Sequence, residues 1–319
     1  MSLPAALTIS NTAQPHFSHS GDRIWPETNC YVDLWIELLH ALGHDPVPAF
    51  ACALSADHDG QQWSFLKVAP EDIRRLYGLE VTEENVWLPL LETIESGPGR
   101  GILHTVEVDS WWLPDTAGTD YHRNHVKTTI IPTSVDRSTQ TMSYIHNSGI
   151  HSLSGADFTG VFGLAGTEEG SLLPYVEQIR SFPERAHEDS LVPIVREHLA
   201  RRAPGNPVER LGHGVREAVA WLPGAGMETF HLWAFATLRQ CGATAELAAD
   251  LSRHLAAGPA PGAAEAVEPF LDVAAGAKAV QFKMARAARG RQVDVGEGLD
   301  NMARSWATAM QTVADAVAR

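Results

Sequence analysis

Apolar and polar positions alternate with two different periods along the chain. Over residues 28–43 the apolar residues recur at helical spacing and predict an amphipathic helix that Gly43 ends. From residue 101, short segments rich in Val, Ile, Thr, Trp and Tyr are separated by turn residues, which indicates antiparallel strands. Beyond about residue 170, alanine-rich helical periods replace the strand pattern. The chain therefore combines a sheet-containing first half with a helical second half.

The individual segments can be assigned from the same pattern. Before the sheet, PVPAFACALSAD and WSFLKVA are predicted strands, whereas APEDIRRLYG and VWLPLLETIESG are predicted helices. The sheet segments are GILHTVEVDSWWL, HVKTTIIPTSVD and TMSYIH, followed by irregular chain with an edge strand in GIHSLSGADFTGVFGL. The predicted helices of the second half cover residues 172–182, 189–202, 208–222, 227–256, 262–289 and 296–318. The expected fold is α+β, with an N-terminal arm (1–23), an α+β domain (24–170) and an all-α domain (171–319).

Charge and composition exclude several classes of function. The chain has 24 Lys plus Arg against 39 Asp plus Glu, a net charge of −15 that repels nucleic acid and anionic membrane surfaces. We find no secretory signal pattern and no apolar stretch long enough to span a membrane, so we expect a cytoplasmic protein. Three widely spaced cysteines without a CxxC pair argue against a disulfide framework and a structural zinc site.

Cys30 is the residue that suggests chemistry. It begins the helix predicted over residues 28–43, where unpaired backbone N–H groups and the helix dipole favour a thiolate. A cysteine nucleophile also needs a base and a group that orients the base. His125 begins a predicted strand, and Asn147 follows the next strand along the chain. This order of Cys, His and Asn is the one found in papain-like cysteine enzymes.

Alternatives remain open at each of these positions. Cys30 can be an inert thiol at a helix start. His122, His146 and His151 are alternative bases. Asp136 is the alternative to Asn147, although its place in the loop between two predicted strands favours a role in the turn.

The sequence also offers groups for a metal site and for an oxyanion hole. His122 and His125 with Asp109, Asp115 or Asp120 supply metal-binding groups, but the spacing is not that of a helical HExxH site, so no metal is expected. Papain-like enzymes have a glutamine six residues before the cysteine, where this chain has Ile24. Oxyanion donors must then come from the Cys30 N–H and other groups. The candidate oxyanion and substrate-binding residues are Thr28, Asn29, Gln62, Asp109 and Tyr121.

Several long stretches resemble a bacterial family of domains of unknown function, the DUF1839 type. These stretches are RIWPETNCYVDLWIELLHALGHDPVPA, DGQQWSFLK, VEVDSWWLPDTAGTDYHRNHVKTTI, YIHNSGIHSLSGADF, FHLWAFATLRQCGATAELAA and AKAVQFKMARAARGR. The resemblance spans roughly residues 23 to 310. Members of this family are often encoded near carrier proteins and the ligases that load them, which implies a role with thioester-tethered aminoacyl groups.

The first half also resembles, more distantly, the N-terminal domain of butirosin-type acyltransferases, which implies a papain-like fold. Cys30 matches the early cysteine of those enzymes, and His125 matches their base. Asp109, Leu113 and Pro114 match the V-x-V-D…LP strand of those enzymes and its exit. Asn147 departs from the pattern, because many relatives of that fold have Asp there and an amide stabilises imidazolium less than a carboxylate does.

Together these features predict a cysteine-dependent acyltransferase without a cofactor of its own. It would move an (amino)acyl group from the phosphopantetheine thioester of a carrier protein to a small amine through an acyl-Cys30 intermediate. A basic stretch containing Lys283, Arg286 and Arg289 is the candidate docking surface for the acidic carrier protein. The alternatives are a thioesterase, amidase or peptidase with the same triad, and a non-catalytic protein that binds carrier proteins. The sequence leaves the oligomeric state open.

Overall fold

The computed structural model describes residues 7, 9, 14–164 and 174–318. The chain forms two compact units, neither of which is continuous in sequence. The sheet unit contains the described residues of Met1–Phe17, Cys30–Pro46 and Ala69–Glu188, and the helical unit contains Ser18–Asn29, Val47–Val68 and the described residues of Asp189–Arg319. The predicted N-terminal arm lies partly outside the described residues. The α+β class is confirmed by both units.

The sheet unit is built on an antiparallel sheet with the order β1-β6-β2-β3-β4-β5. Its strands are β1 (Leu79–Glu83), β2 (Ile102–Asp109), β3 (Lys127–Asp136), β4 (Thr141–His146), β5 (Gly149–Ser154) and β6 (Val176–Ser181). Its helices are α1 (Cys30–Ala41), α2 (Pro70–Tyr77), α3 (Leu90–Ser96) and α4 (Ala156–Val161). The helix predicted around Cys30 and the predicted edge strand β5 are thus confirmed.

Turn chemistry explains two of the connections. The Asp136 carboxylate closes the β3–β4 hairpin by accepting hydrogen bonds from the Ser138 hydroxyl and the Ser138 and Thr139 N–H groups, which lowers the pKa of Asp136 to about 2. Gly78 ends α2 with φ +68°, and a Cβ there would lie 2.4 Å from the Phe182 carbonyl oxygen. Only glycine fits where α2 turns into β1.

The two faces of the sheet carry different layers. Val106, Ile130 and Val176 share one face and form an apolar core with side chains from α3 and α4. Thr105 and Glu177 pair on the opposite face, where the Glu177 carboxylate accepts hydrogen bonds from the hydroxyls of Thr105 (3.0 Å) and Tyr31 (3.4 Å). Tyr31 belongs to α1, which packs on β3 and β4. The helix that begins with Cys30 therefore lies on the face opposite the apolar core.

The helical unit contains α5 (Leu191–Ala200), α6 (Pro207–Ala234), α7 (Gln240–Ala257), α8 (Val267–Ala287) and α9 (Gly296–Ala318). Pro223 and the non-helical Gly226 kink α6, which explains the break predicted after residue 222. A π-helical turn over Phe235–Arg239 joins α6 to α7. A Cβ at Gly242 of α7 would lie 2.3 Å from the Trp25 indole, so glycine permits this close packing. No helix in the described part of the chain is long and apolar enough to cross a membrane.

Three secondary-structure predictions were wrong. The segment predicted as a strand over 46–57 is mainly a 3-10 helix (Val47–Ser55), because a run of buried small residues has no alternation that separates a helix from a strand. WSFLKVA contains only an isolated bridge between His58 and Trp63. The helix predicted over 172–182 is β6 in its described part, because pairing with β1 and β2 overrides local propensity.

Candidate active site

Cys30 is the accessible thiol of the chain. It is the first residue of the twelve-residue helix α1 and is partly exposed, whereas Cys52 and Cys241 are buried. Burial raises the pKa of the Cys241 thiol, which makes it inert. Of the three cysteines, only Cys30 combines solvent access with a helix N-terminus.

His125 and Asp109 form a hydrogen-bonded pair where β2 and β3 meet. Asp109 pairs with Lys127, and the Ser110 N–H donates to the Val126 carbonyl at 2.9 Å, which extends the ladder towards His125. The His125 Nδ1 donates to Asp109 Oδ2 at 2.5 Å. The other carboxylate oxygen, Oδ1, accepts the Trp111 N–H at 3.0 Å and caps a short 3-10 turn. Both oxygens of Asp109 are therefore fixed, and with them the imidazole.

The Trp111 indole supports the same imidazole. The Trp111 and His125 rings stack with centroids 4.4 Å apart and planes within 5°. The His125 side chain is 68% exposed, and its Nε2 has no hydrogen-bond partner in the described part of the chain. One ring nitrogen is thus held by a carboxylate while the other is presented to solvent, which is the arrangement of a general base. Successive side chains of a strand point to opposite faces, so Asp109 points to the same face of the sheet as Thr105 and Glu107. The His125–Asp109 pair therefore lies on the sheet face that α1 covers.

Asn147 does not contact His125. It occupies the turn between β4 and β5 with φ +47°. Because Ile131 pairs with Ile145, the end of β4 and Asn147 lie opposite residues 129 and 130 of β3. His125 lies four residues earlier, about 13 Å along the strand direction. His125 is hydrogen-bonded to Asp109 on the other neighbouring strand, whereas the chain order predicts Asn147 as its partner, with Asp136 as the alternative. No hydrogen bond links Cys30 to an imidazole among the described residues.

His146 belongs to a buried network on the other side of the sheet. Its Nδ1 donates to Asp115 Oδ2 at 2.5 Å, and its Nε2 contacts the Thr128 hydroxyl at 2.7 Å. The Tyr144 hydroxyl donates to Asp115 Oδ1 at 2.5 Å, and His151 Nε2 lies 4.0 Å from Oδ2. Because both ring nitrogens of His146 are engaged and the ring is buried, His146 serves the fold rather than proton transfer.

We expect Asp115→Asn to lower the free energy of unfolding by about 2 kcal/mol at pH 7. Burial raises the pKa of Asp115, but the hydrogen bonds and charge of His146 and the Tyr144 hydroxyl outweigh it, so this pKa lies below its usual value. The carboxylate therefore stabilises the fold fully above the unfolded pKa of about 3.9, and this contribution is lost as the pH falls through the lower folded value. Urea unfolding at pH 7 and pH 3 measures the effect.

The matched control for this prediction is Asp272→Asn, which changes an exposed carboxylate on α8. The stability difference between Asp115→Asn and the unsubstituted protein is expected to shrink at pH 3. A difference that stays constant between the two pH values would show that the charge of Asp115 does not stabilise the fold.

The other candidate binding residues lie in different surroundings. Asn29 Nδ2 donates to the Leu66 carbonyl at 3.1 Å and to Gln240 Oε1 at 3.4 Å within the helical unit, and the carbonyl of Thr28 accepts from Gln240 at 2.8 Å. An oxyanion role for Asn29 would break these bonds. Gln62 lies in an exposed turn closed by Asp59.

Tyr121 lies beside the His125 region in the sheet unit. Its hydroxyl donates to Asp157 Oδ2 at 2.9 Å, and the centroids of the Tyr121 and His122 rings are 4.1 Å apart. The hydrogen bond to Asp157 raises the pKa of Tyr121, so this hydroxyl stays protonated at neutral pH.

The predicted basic surface lies at the end of α8. Lys283 donates to the Asp294 carbonyl at 2.8 Å, while Arg286 and Arg289 are exposed. No group of three or more His, Cys, Asp or Glu side chains with metal-binding geometry occurs among the described residues.

Comparison with protein families matches two adjacent domains. The DUF1839 N-terminal domain matches residues 14–181, and the DUF1839 C-terminal domain matches residues 184–315. The chain belongs to the DUF1839 family. The match to the DUF1839 N-terminal domain ends at residue 181, which is also the end of β6. The domain boundary predicted after residue 170 would separate β6 from the other strands of the sheet. The chain matches no protein among those with curated descriptions. Membership of DUF1839 names no reaction.

Proposed function

We propose that the chain is a cysteine-dependent acyltransferase in which Cys30 is the nucleophile, His125 the base and Asp109 the group that orients the base. The observation that carries this proposal is the exposed His125–Asp109 pair, with a bond of 2.5 Å, on the sheet face covered by the helix that Cys30 begins. Cys30 at the start of a helix and His125 two residues before strand β3 of the same unit also support a papain-like arrangement.

The proposed reaction proceeds in two steps. His125 takes the thiol proton of Cys30, and the thiolate attacks the carbonyl carbon of a thioester. Collapse of the tetrahedral adduct breaks the donor's C–S bond, and the departing thiolate takes the proton from His125. A neutral amine then attacks the carbonyl carbon of acyl-Cys30, and His125 takes the N–H proton of the adduct. The C–S bond to Cys30 breaks, which yields the amide and the Cys30 thiolate beside protonated His125. The backbone N–H of Cys30, at the start of α1, can donate to the oxyanion because the first N–H groups of a helix lack intrahelical partners.

The choice of donor and acceptor rests on chemistry and on resemblance. A thioester and the acyl-cysteine have similar free energies, so acylation from a phosphopantetheine arm needs little driving force. The likeness to butirosin-type acyltransferases supports an aminoacyl carrier protein as donor and a small amine as acceptor, in the cytoplasm. The exposed Arg286 and Arg289 offer positive charge to an acidic carrier protein in a chain of net charge −15.

The proposal is tested by incubating the protein with an aminoacyl carrier protein, with and without amines. Formation of an amide that depends on both the protein and the amine supports acyl transfer. Release of free amino acid at the same rate with or without amine would instead indicate a thioesterase. Absence of any acyl adduct or product would favour a non-catalytic binding protein.

A further inference from the structure

A small cavity lies within the helical unit, and none of the residues that line it takes part in the proposed reaction. Its volume is about 220 Å³. Its walls come from Ala56 and Asp57, from the segment 202–207 between α5 and α6, and from residues 306–311 of α9, all of which belong to the helical unit. The walls combine apolar surface with a few polar groups, as the walls of small-molecule sites do.

The Trp306 indole in the wall of this cavity has a hydrogen-bond donor without an acceptor. Trp306 is 3% exposed, and edge-on contacts with Trp63 and Phe270 hold its ring, with centroids 5.7 and 5.6 Å apart. The Trp63 N–H donates to the Thr244 hydroxyl at 3.1 Å, whereas the Trp306 N–H donates to no group in the described part of the chain. The Trp306 nitrogen is not sealed off by protein atoms, so it faces the cavity. A buried indole N–H normally has an acceptor, which solvent or a bound molecule must supply here.

The charges around the cavity favour a single negative charge on such a molecule. Asp57 is neutralised by an ion pair with Arg210. The exposed Arg202 donates through Nε to the Leu199 carbonyl at 3.0 Å, and its terminal nitrogens bond to no group among the described residues. Two arginines and one aspartate leave one positive charge, and the adjacent N-terminus of α6 also favours an anion. A carboxylate matches both this charge and the planar guanidinium group.

The volume of the cavity limits the size of the molecule. A cavity of about 150 Å³ holds benzene, so this one has room for a ring of that size with a carboxylate attached. Ala56, Pro207 and Met310 supply apolar surface for the ring. Drug-sized ligands occupy cavities of about 300–1,000 Å³, so a nucleotide is too large.

We infer that this cavity binds a small monocarboxylate with a compact apolar body. The carboxylate accepts the Trp306 N–H and pairs with the Arg202 guanidinium, while the apolar body lies against Met310 and Pro207. Such a ligand joins α9 to the segment between α5 and α6, so its binding stabilises the folded helical unit. The inference does not rest on the proposed function, because no residue of the cavity takes part in the acyl transfer.

Calorimetric titration of the full chain with benzoate tests the site, and benzamide is the neutral molecule of nearly the same shape. We expect one benzoate to bind per chain with a Kd on the order of 1 mM or lower, and benzamide to bind about 10-fold more weakly. Arg202→Gln should weaken benzoate binding about 10-fold and leave benzamide binding unchanged. Arg201→Gln, which changes the neighbouring exposed arginine outside the cavity, is the matched control and should alter neither affinity.

Nuclear magnetic resonance reports on the indole N–H directly. The Trp306 N–H resonance of the isotope-labelled protein is identified by its absence from the spectrum of Trp306→Phe, and it should shift when benzoate is added. No binding of millimolar benzoate, equal affinities for benzoate and benzamide, or a Trp306 resonance that stays in place overturns the inference. The same conclusion follows if Arg202→Gln and Arg201→Gln bind benzoate equally well.

Discussion

Replacing Cys30 with alanine abolishes the acyl adduct and lowers turnover by about 1,000-fold or more, because removal of a nucleophile leaves only binding and polarisation of the substrate. The fold should persist, since Cys30 is partly exposed and its side chain has no hydrogen bond among the described residues. Intact mass spectrometry after incubation with an aminoacyl thioester measures the adduct, and circular dichroism checks the fold.

Peptide mapping supplies the control for this prediction. The acyl group of the unsubstituted protein should be found on the peptide that begins helix α1 and contains Cys30. An adduct that persists in Cys30→Ala, or that maps to Cys52 or Cys241, contradicts the assignment of the nucleophile.

Replacing Asp109 with asparagine slows acylation of Cys30 by about 100- to 10,000-fold. The carboxylate accepts the Nδ1 proton of His125 and so leaves Nε2 free to act as the base, whereas an amide can turn its NH₂ group to the ring and favour the other tautomer. Single-turnover acylation measures the change. Thermal unfolding is needed alongside it, because Asp109 also caps the turn at Trp111.

Asn147→Ala is the matched comparison. The structure pairs His125 with Asp109, so this substitution should leave the acylation rate near that of the unsubstituted protein. A large loss in Asn147→Ala with little loss in Asp109→Asn would reverse the roles and restore the triad expected from the chain order alone.

Elements with local signals could be predicted from the sequence. The helix α1 and strands β2 to β4 follow from periodicity and turn residues within short windows. Strand β6 could not be predicted, because its polar sequence becomes a strand only through pairing with β1 and β2, which are distant in the chain. The 3-10 segment Val47–Ser55 was missed because it is mostly buried and has no repeating pattern of apolar and polar residues.

The residues of the candidate site differ in the same way, because some have a local signal in the sequence and others do not. Cys30 and His125 could be chosen because a helix start and a strand start are visible in the sequence. The role of Asp109 depends on the register of β2 against β3, which the sequence does not encode locally, so the chain order favoured Asn147 instead. Trp111, which stacks on His125, was also missed. The available signal was the Trp pair directly after Asp109, at the point where a strand ends in a turn.

The most direct test of the account is the rate at which iodoacetamide alkylates Cys30 between pH 6 and pH 8 in the unsubstituted protein and in His125→Asn. Quantitative peptide mapping separates Cys30 from the two buried cysteines. We predict that Cys30 reacts faster near pH 7 than a thiol in an unstructured peptide, and that His125→Asn removes this advantage. Equal rates in both proteins across this range would contradict the claim that His125 activates Cys30.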